Sequence, residues 1–218
     1  IHAGYDYGHN THASVAHTYK IESKTTVPGR YMDITGNKAT AYGFIAAAEK
    51  AGLKLFLGSY PITPATDVLH ELSKHKSLGV MTVQCEDEIS GCATSIGAAF
   101  AGALAVTSTS GPGVCLKSEA MNLAVITELP LVVLDVQRGG PSTGLPTKSE
   151  QTDLLQALFG RNGESPMPVI AASSPTSCFD AAYMASKIAL EHMTPVVLLT
   201  DGFVANGSGA WKLPKLAD

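Results

Sequence analysis

Four short segments of this 218-residue chain combine residue types that can do chemistry. In Tyr60-Pro61-Ile62-Thr63-Pro64-Ala65-Thr66, two prolines bracket a threonine after an apolar run. Proline ends a strand because it has no N–H for the ladder, and it fits the first turn of a helix, so a stiff strand-to-helix junction is predicted. Thr63 stands where an N-cap hydroxyl belongs, beside free backbone donors. That hydroxyl serves either a capped turn or a ligand. Glu86-Asp87-Glu88 places three acids where a strand gives way to a helix. The helix dipole favours acids there, but three exceed what a cap needs. A carboxylate held in such a partly buried place could share a proton with a ligand nitrogen. Ser110-Gly111-Pro112-Gly113 reads as a tight turn into a helix. In Gln137-Arg138-Gly139-Gly140-Pro141-Ser142-Thr143-Gly144, Arg138 can present a planar fork to a carboxylate, or anchor its loop to a helix acid. The glycines beside it let a ligand approach the backbone closely.

These segments need elements to position them. The spacing of apolar residues predicts helices over 36–50, 67–76, 87–103, 114–127, 152–158 and 175–192. It predicts strands over 54–58, 80–84, 104–108, 130–136, 168–171 and 195–200. Gly52 is placed to end the first helix as its C′ residue. Strands alternating with helices imply a doubly wound, mostly parallel α/β sheet with both faces covered by helices. In such a sheet all strand-to-helix loops emerge on one edge, which brings the four segments together. Residues 1–34 hold His2, His9, His12 and His17 with little periodicity, and are expected to be a linker from a preceding domain. Residues 35–206 form the main domain and 207–218 a further linker. The chain opens on Ile1, so it is expected to be a piece of a longer protein.

Composition narrows the classes. A net charge of −4 and no basic run interleaved with aromatics argue against nucleic acid. No apolar stretch reaches the length of a membrane span. Cys85, Cys92, Cys115 and Cys178 fit neither a zinc nor an iron–sulfur spacing, and each is expected to be a buried reduced thiol, in keeping with a cytoplasmic protein. With 45% hydrophobic residues, many of them small, close helix–sheet packing and a large interface with another chain are expected. There is no P-loop, no G-x-G-x-x-G after a strand and no G-x-S-x-G.

Taken in order, the motifs resemble the pyrimidine-binding thiamine diphosphate domain of the alpha subunit of 2-oxoacid:ferredoxin oxidoreductases. They are Gly36-Asn37 with Ala39, Tyr60 to Pro64, Glu86 to Glu88, Thr107 to Gly113 with Glu119, Gln137 to Gly144 with Pro146-Thr147, and Thr200-Asp201-Gly202. The resemblance spans about 36–206 and is closest to the 2-oxoglutarate, KorA-type branch, in which a gamma domain can be fused ahead of the alpha domain.

The resemblance implies oxidative decarboxylation of a 2-oxoacid to an acyl-CoA, with ferredoxin reduced. It implies that a glutamate hydrogen-bonds the aminopyrimidine ring. Counting back from Ile96-Gly97-Ala98, that is Glu88, with Glu86 next in line. Pro61, Ile62 and Gly111 match cofactor-binding positions; Thr63, Arg138, Ser142 and Thr143 match substrate-binding ones. No Gly-Asp-Gly motif and no cysteine cluster is present, so magnesium and 4Fe-4S clusters are expected on a beta subunit, which completes the cofactor site, and no metal is expected here. A second substrate carboxylate needs a further cation, from Lys148, Arg161 or the beta subunit. Two alternatives remain open: pyruvate or another 2-oxoacid as substrate, or a non-catalytic assembly module of the same fold.

Overall fold

The computed structural model describes residues 1–11, 19–20, 22 and 27–214. It divides into two units, Ile1–Arg30 and Tyr31–Asp218. The first is not wholly irregular, as its weak periodicity suggests. It contains helix α1 (His2–Asn10), with no buried residue. Tyr5 and His9 stack one turn apart, ring centroids 6.1 Å from each other, a pairing that supports an exposed helix. His12 and His17 lie outside the described residues.

The larger unit is built on a six-stranded sheet in which every pairing is parallel. Its strands are β2 (Leu55–Ser59), β3 (Val80–Gln84), β4 (Leu104–Thr109), β5 (Leu131–Gln137), β6 (Val169–Ala171) and β7 (Pro195–Asp201), in the order β3-β2-β4-β5-β7-β6. β4, β5 and β7 are buried along their whole lengths. This is why they read as continuous apolar runs rather than alternating ones.

Helices cover both faces. α2 (Gly36–Ala51), α3 (Thr66–Leu72) and α7 (Ser177–His192) pack on one, around Phe44, Leu57, Val68, Leu72, Leu134 and Leu198. α4 (Glu88–Phe100), α5 (Gly111–Ile126) and α6 (Leu154–Phe159) flank the other, with Cys92, Met121, Val133, Ala157 and Val197 in its core. Each fully buried aliphatic side chain of this kind contributes about 1.5–3 kcal/mol. Among the described residues, no helix is long and apolar enough to cross a membrane.

The boundaries differ from the sequence expectation where local chemistry intervenes. α3 gives way to a 3-10 helix (Ser73–Leu78) that ends at Gly79, φ 77°. α4 stops at Phe100 rather than Ala103, and Gly102 (φ 87°) turns the chain. α5 starts at Gly111, so Ser110-Gly111-Pro112-Gly113 is a helix start rather than a turn before one. The segment from 207, expected to be a linker, opens with strand β8 (Ser208–Lys212), antiparallel to β1 (Tyr31–Thr35). Trp211 packs on Phe179 of α7, centroids 5.0 Å apart, which ties this ribbon to the domain. α8 (Gly202–Asn206) leads into it, capped by Asp201.

Crossing from β3 to β4 carries the chain over β2, so the direction of winding reverses between β2 and β4. In open α/β sheets ligands bind beyond the carboxyl ends of the strands at such a reversal. Small residues let α4 lie close against β2 there. A Cβ on Gly58 would strike the Gly91 carbonyl and the Thr94 and Ser95 hydroxyls. Gly58→Ala is expected to lower stability by about 1–3 kcal/mol, as overpacking does, measured by denaturant unfolding against the wild-type protein.

Candidate functional site

Each functional loop leaves the carboxyl end of a strand. After β2 comes the bracketed turn, with a cis Thr63–Pro64 peptide. The Thr66 N–H donates to the Ile62 carbonyl at 3.0 Å, and buried Asn37 of α2 donates to the Pro64 carbonyl at 3.0 Å. Thr63 does not cap α3. The cap position is Ala65, which has no side-chain bond, because the turn consumes two more residues before the helix begins. The Thr63 side chain is instead exposed, and Pro61 and Ile62 are half-buried beside it.

After β3, Asp87 takes the capping role: it accepts from the Ser90 N–H at 2.7 Å. Glu86 is exposed. Glu88, by contrast, is 8% exposed. Its carboxylate takes part in no hydrogen bond or ion pair within the described residues. It lies against the first turn of α5, where a Cβ on Gly113 would meet both Glu88 Cγ and Thr109 Oγ1. Gly113 is glycine because these two side chains occupy the space a larger residue would fill.

After β5, Arg138 is also 8% exposed. Nη1 donates to the Thr63 carbonyl and Nη2 to the Thr143 carbonyl, both at 2.8 Å. Arg138 thus joins the β2 turn to the glycine loop. Among the described residues no carboxylate lies within ion-pair distance of it. Nε is buried and unpaired, and two of five N–H donors are used. The anchoring role foreseen for Arg138 is therefore filled by backbone carbonyls, not by a helix acid.

The loop itself folds back on Gly139, which bridges Leu145 and donates to the Lys148 carbonyl at 2.8 Å. Gly144, φ 56°, sits against the Gly139 carbonyl, where a side chain has no room. Ser142 (φ 58°) and Thr143 are exposed on it, and so is Lys148. Arg161 is elsewhere: it follows α6, before the amino end of β6. Its guanidinium is held by the carbonyls of Ala157 and Ser165 at 2.8 Å.

Three polar residues, two of them fully buried, escaped sequence reasoning. Lys117 of α5 is 0% exposed and donates to the Thr107 hydroxyl at 2.5 Å. Asp135, in the middle of an apolar strand, has two carboxyl oxygens that meet no donor. Asp153 lies beside it and closes over Gly111, whose Cβ would collide with the Asp153 carboxyl. Burial raises Asp135 well above the usual carboxylate range, and the neighbouring Asp153 adds to this. A lone acid inside a Leu-Val-Val-Leu-Asp-Val run is a visible signal. The lysine gives none, because helical spacing does not say which face of α5 is covered.

The thiols also separate. Cys92 and Cys178 are buried, and burial pushes each up to about 11. Cys85 is half-buried, whereas Cys115 is exposed, contrary to expectation. Cys115 lies on a face of α5 that the core does not cover.

A model of the family described as "Pyruvate flavodoxin/ferredoxin oxidoreductase, thiamine diP-bdg" matches residues 46–218. The chain belongs to this family. It is 60% identical over 214 residues to a 2-oxoglutarate oxidoreductase subunit KorA of Mycobacterium tuberculosis, covering 98% of this chain and 33% of that protein. It is 41% identical over 186 residues to the 2-oxoglutarate synthase subunit KorA of Archaeoglobus fulgidus, covering 85% of this chain and 52% of that one. A solved 2-oxoglutarate:ferredoxin oxidoreductase from Magnetococcus marinus, with 2-oxoglutarate, coenzyme A and succinyl-CoA bound, superposes with a TM-score of 0.86 at 37% identity. The superposition covers 98% of this chain and 37% of that one. The chain thus spans from about a third to about half of the length of these relatives.

The donor set suits the family's cofactor. A largely buried glutamate whose carboxylate has no described partner, set over a glycine at a helix start, leaves a place for a ring nitrogen.

A stability test isolates Asp135. Its proton affinity is higher folded than unfolded, so its contribution is present below the ordinary carboxylate range and is lost as pH rises through the raised value. Asp135→Asn, which keeps the shape without the charge, is expected to match wild type near pH 4 and exceed it at neutral pH. Each tenfold of proton affinity corresponds to about 1.4 kcal/mol. Thermal unfolding across that pH range reads the difference.

Proposed function

We propose that this chain supplies the aminopyrimidine-facing and substrate-facing half of the site in a 2-oxoacid:ferredoxin oxidoreductase acting on 2-oxoglutarate. The observation that carries the reading is the presence on one sheet edge of largely buried Glu88, after β3, and of Arg138, which reaches from the end of β5 to the turn after β2 with no carboxylate partner among the described residues. Identity of 60% to a 2-oxoglutarate oxidoreductase subunit supports it. Thiamine diphosphate, when bound, supplies the electron sink for loss of carbon dioxide from the 2-oxoacid. Glu88 holds or releases a proton at its carboxylate toward the aminopyrimidine ring, and Pro61, Ile62 and Gly111 shape the wall beside it.

Arg138 has donors left after its two backbone bonds, and these take the substrate's 1-carboxylate. The exposed Thr63 hydroxyl faces the 2-oxo group, and Ser142 and Thr143 border the same opening. For the distal carboxylate of 2-oxoglutarate, Lys148 is the better of the two cations in this chain. It sits on the Arg138 loop at the binding edge, whereas Arg161 is bound into its own loop at the other end of the sheet. A beta subunit holds the diphosphate, magnesium and 4Fe-4S clusters and passes electrons to ferredoxin, and coenzyme A accepts the acyl group. On this reading the protein works in the cytoplasm.

Glu88→Gln in the assembled complex is expected to lower kcat for 2-oxoglutarate-dependent acceptor reduction about 10²–10⁴-fold, the span for a lost proton-transfer group. Unchanged kcat would remove Glu88 from the chemistry. Lys148→Ala is expected to raise KM for 2-oxoglutarate about tenfold or more, from the loss of a charge-assisted hydrogen bond, and to leave KM for pyruvate unaltered. Steady-state kinetics on both substrates measure it, and equal effects on the two would reassign the distal carboxylate to another cation.

A further inference from the structure

The loop that carries Arg138 has one acid. Residues 138–152 hold Arg138 and Lys148 as cations and Glu150 as the single carboxylate. Opposite charges this close along a chain attract, yet among the described residues Glu150 takes part in no ion pair. Its Oε2 instead accepts from the Gly140 N–H at 2.6 Å. Gly140 is exposed, so water can satisfy that donor. The bond is not needed to rescue a buried amide.

What it does is tie the two limbs of the loop together. On the outgoing limb the Gly139 N–H already goes to the Lys148 carbonyl, and Pro141 has no N–H to give. Gly140 is the donor that remains there. The returning limb is pinned just after Glu150: Gln151 Nε2 donates to Asp201 Oδ2 at 2.7 Å, and the Asp153 N–H donates to Gln137 Oε1 at 3.0 Å. Glu150 thus reaches across from a fixed limb. Gly140 in turn is a seat for the loop tip. A side chain on Gly144 would strike the Gly139 carbonyl and the Gly140 Cα, so Gly144 lies directly on that pair. Next to Gly144 is Thr143, whose carbonyl takes Arg138 Nη2 at 2.8 Å. A continuous run of contacts therefore leads from the Glu150 carboxylate through Gly140 and the loop tip to the Arg138 guanidinium.

We propose that Glu150 is a positioning residue: its bond to the Gly140 N–H sets the seat under Gly144 and holds the Thr143 carbonyl on Arg138, while its own negative charge is kept off both Arg138 and Lys148. This rests on the reading of Arg138 as the holder of the 2-oxoacid carboxylate. Glu150 does not touch the substrate. It fixes the direction in which the unused Arg138 donors point, through a backbone bond that a carboxylate makes more strongly than a neutral acceptor does.

The test is steady-state kinetics of the assembled complex, with 2-oxoglutarate or coenzyme A as the varied substrate. Glu150→Ala is expected to raise KM for 2-oxoglutarate about tenfold or more, the weight of a hydrogen bond to a charged group, and to leave KM for coenzyme A unaltered. Glu150→Gln keeps an oxygen that accepts from Gly140, and is expected to recover about half of that effect on a logarithmic scale, because a neutral acceptor bonds about half as strongly. In an Arg138→Ala background the Glu150→Ala change is expected to add nothing, since Glu150 acts through Arg138. An unchanged KM in Glu150→Ala, a rise that adds to that of Arg138→Ala, an equal rise for coenzyme A, or a glutamine variant no better than alanine overturns the inference. Where Glu150→Ala does not assemble, Glu150→Gln decides alone. A KM raised less than by Arg138→Ala, with kcat held, supports the role; a KM raised as much, or a fallen kcat, overturns it. If Arg138→Ala itself leaves KM for 2-oxoglutarate unchanged, it is the functional reading that fails instead.

Discussion

A parallel sheet delivers every strand-to-helix loop to one edge, but it does not decide how those loops meet. Here that is decided by Arg138. Its side chain reaches from the end of β5 to the carbonyls of Thr63 and Thr143 at 2.8 Å each, crossing from its own loop to the turn after β2. The planar fork allows two such bonds at once, which an ammonium on a flexible stem does not hold as a fixed pair. Both acceptors are neutral, so the contact fixes the geometry and leaves the positive charge available. The junction between the two loops and its charge come from one side chain. Asn37 supports the same turn from behind, through the Pro64 carbonyl.

The opposite wall is organised by small residues. Gly58 and Gly113 bring α4, β2 and α5 within distances that a Cβ would forbid. This close approach buries Glu88 at the helix start, while Asp87 satisfies the cap. Beneath them the interior on this face is polar where cores are usually apolar, with Lys117 bonded to Thr107, and Asp135 beside Asp153. Charges and unsatisfied acids in such a place cost stability. Their concentration under the candidate site, rather than across the sheet at large, fits a region shaped for chemistry.

Much of the architecture was legible along the chain. The alternation of apolar runs with helical spacing predicted the doubly wound sheet, because buried parallel strands and covering helices impose different periods on the sequence. Gly52 ending α2 and acids opening α4 followed from local backbone chemistry. Legibility failed where a partner is distant in sequence. Thr63 looked like a cap because a cap is a local feature, yet the turn spends two further residues before α3 begins. The β1–β8 ribbon joins the two ends of the larger unit, and neither strand carries a pattern that names the other.

The sequence by itself determined the strands of the six-stranded sheet and the main covering helices, their order and the four candidate loops, and its motifs pointed to the family. These follow from propensities and spacings within a few residues of each other. Only the tertiary structure decided where the candidate side chains lie and what they touch. It separated Asp87 the cap from Glu88 the buried acid, assigned the carbonyl partners of Arg138, held the Arg161 guanidinium in its own loop and buried Lys117 against Thr107. Each of these depends on which face of a helix the sheet covers and which loops the strand order makes neighbours. Both are set by packing between segments far apart in the chain.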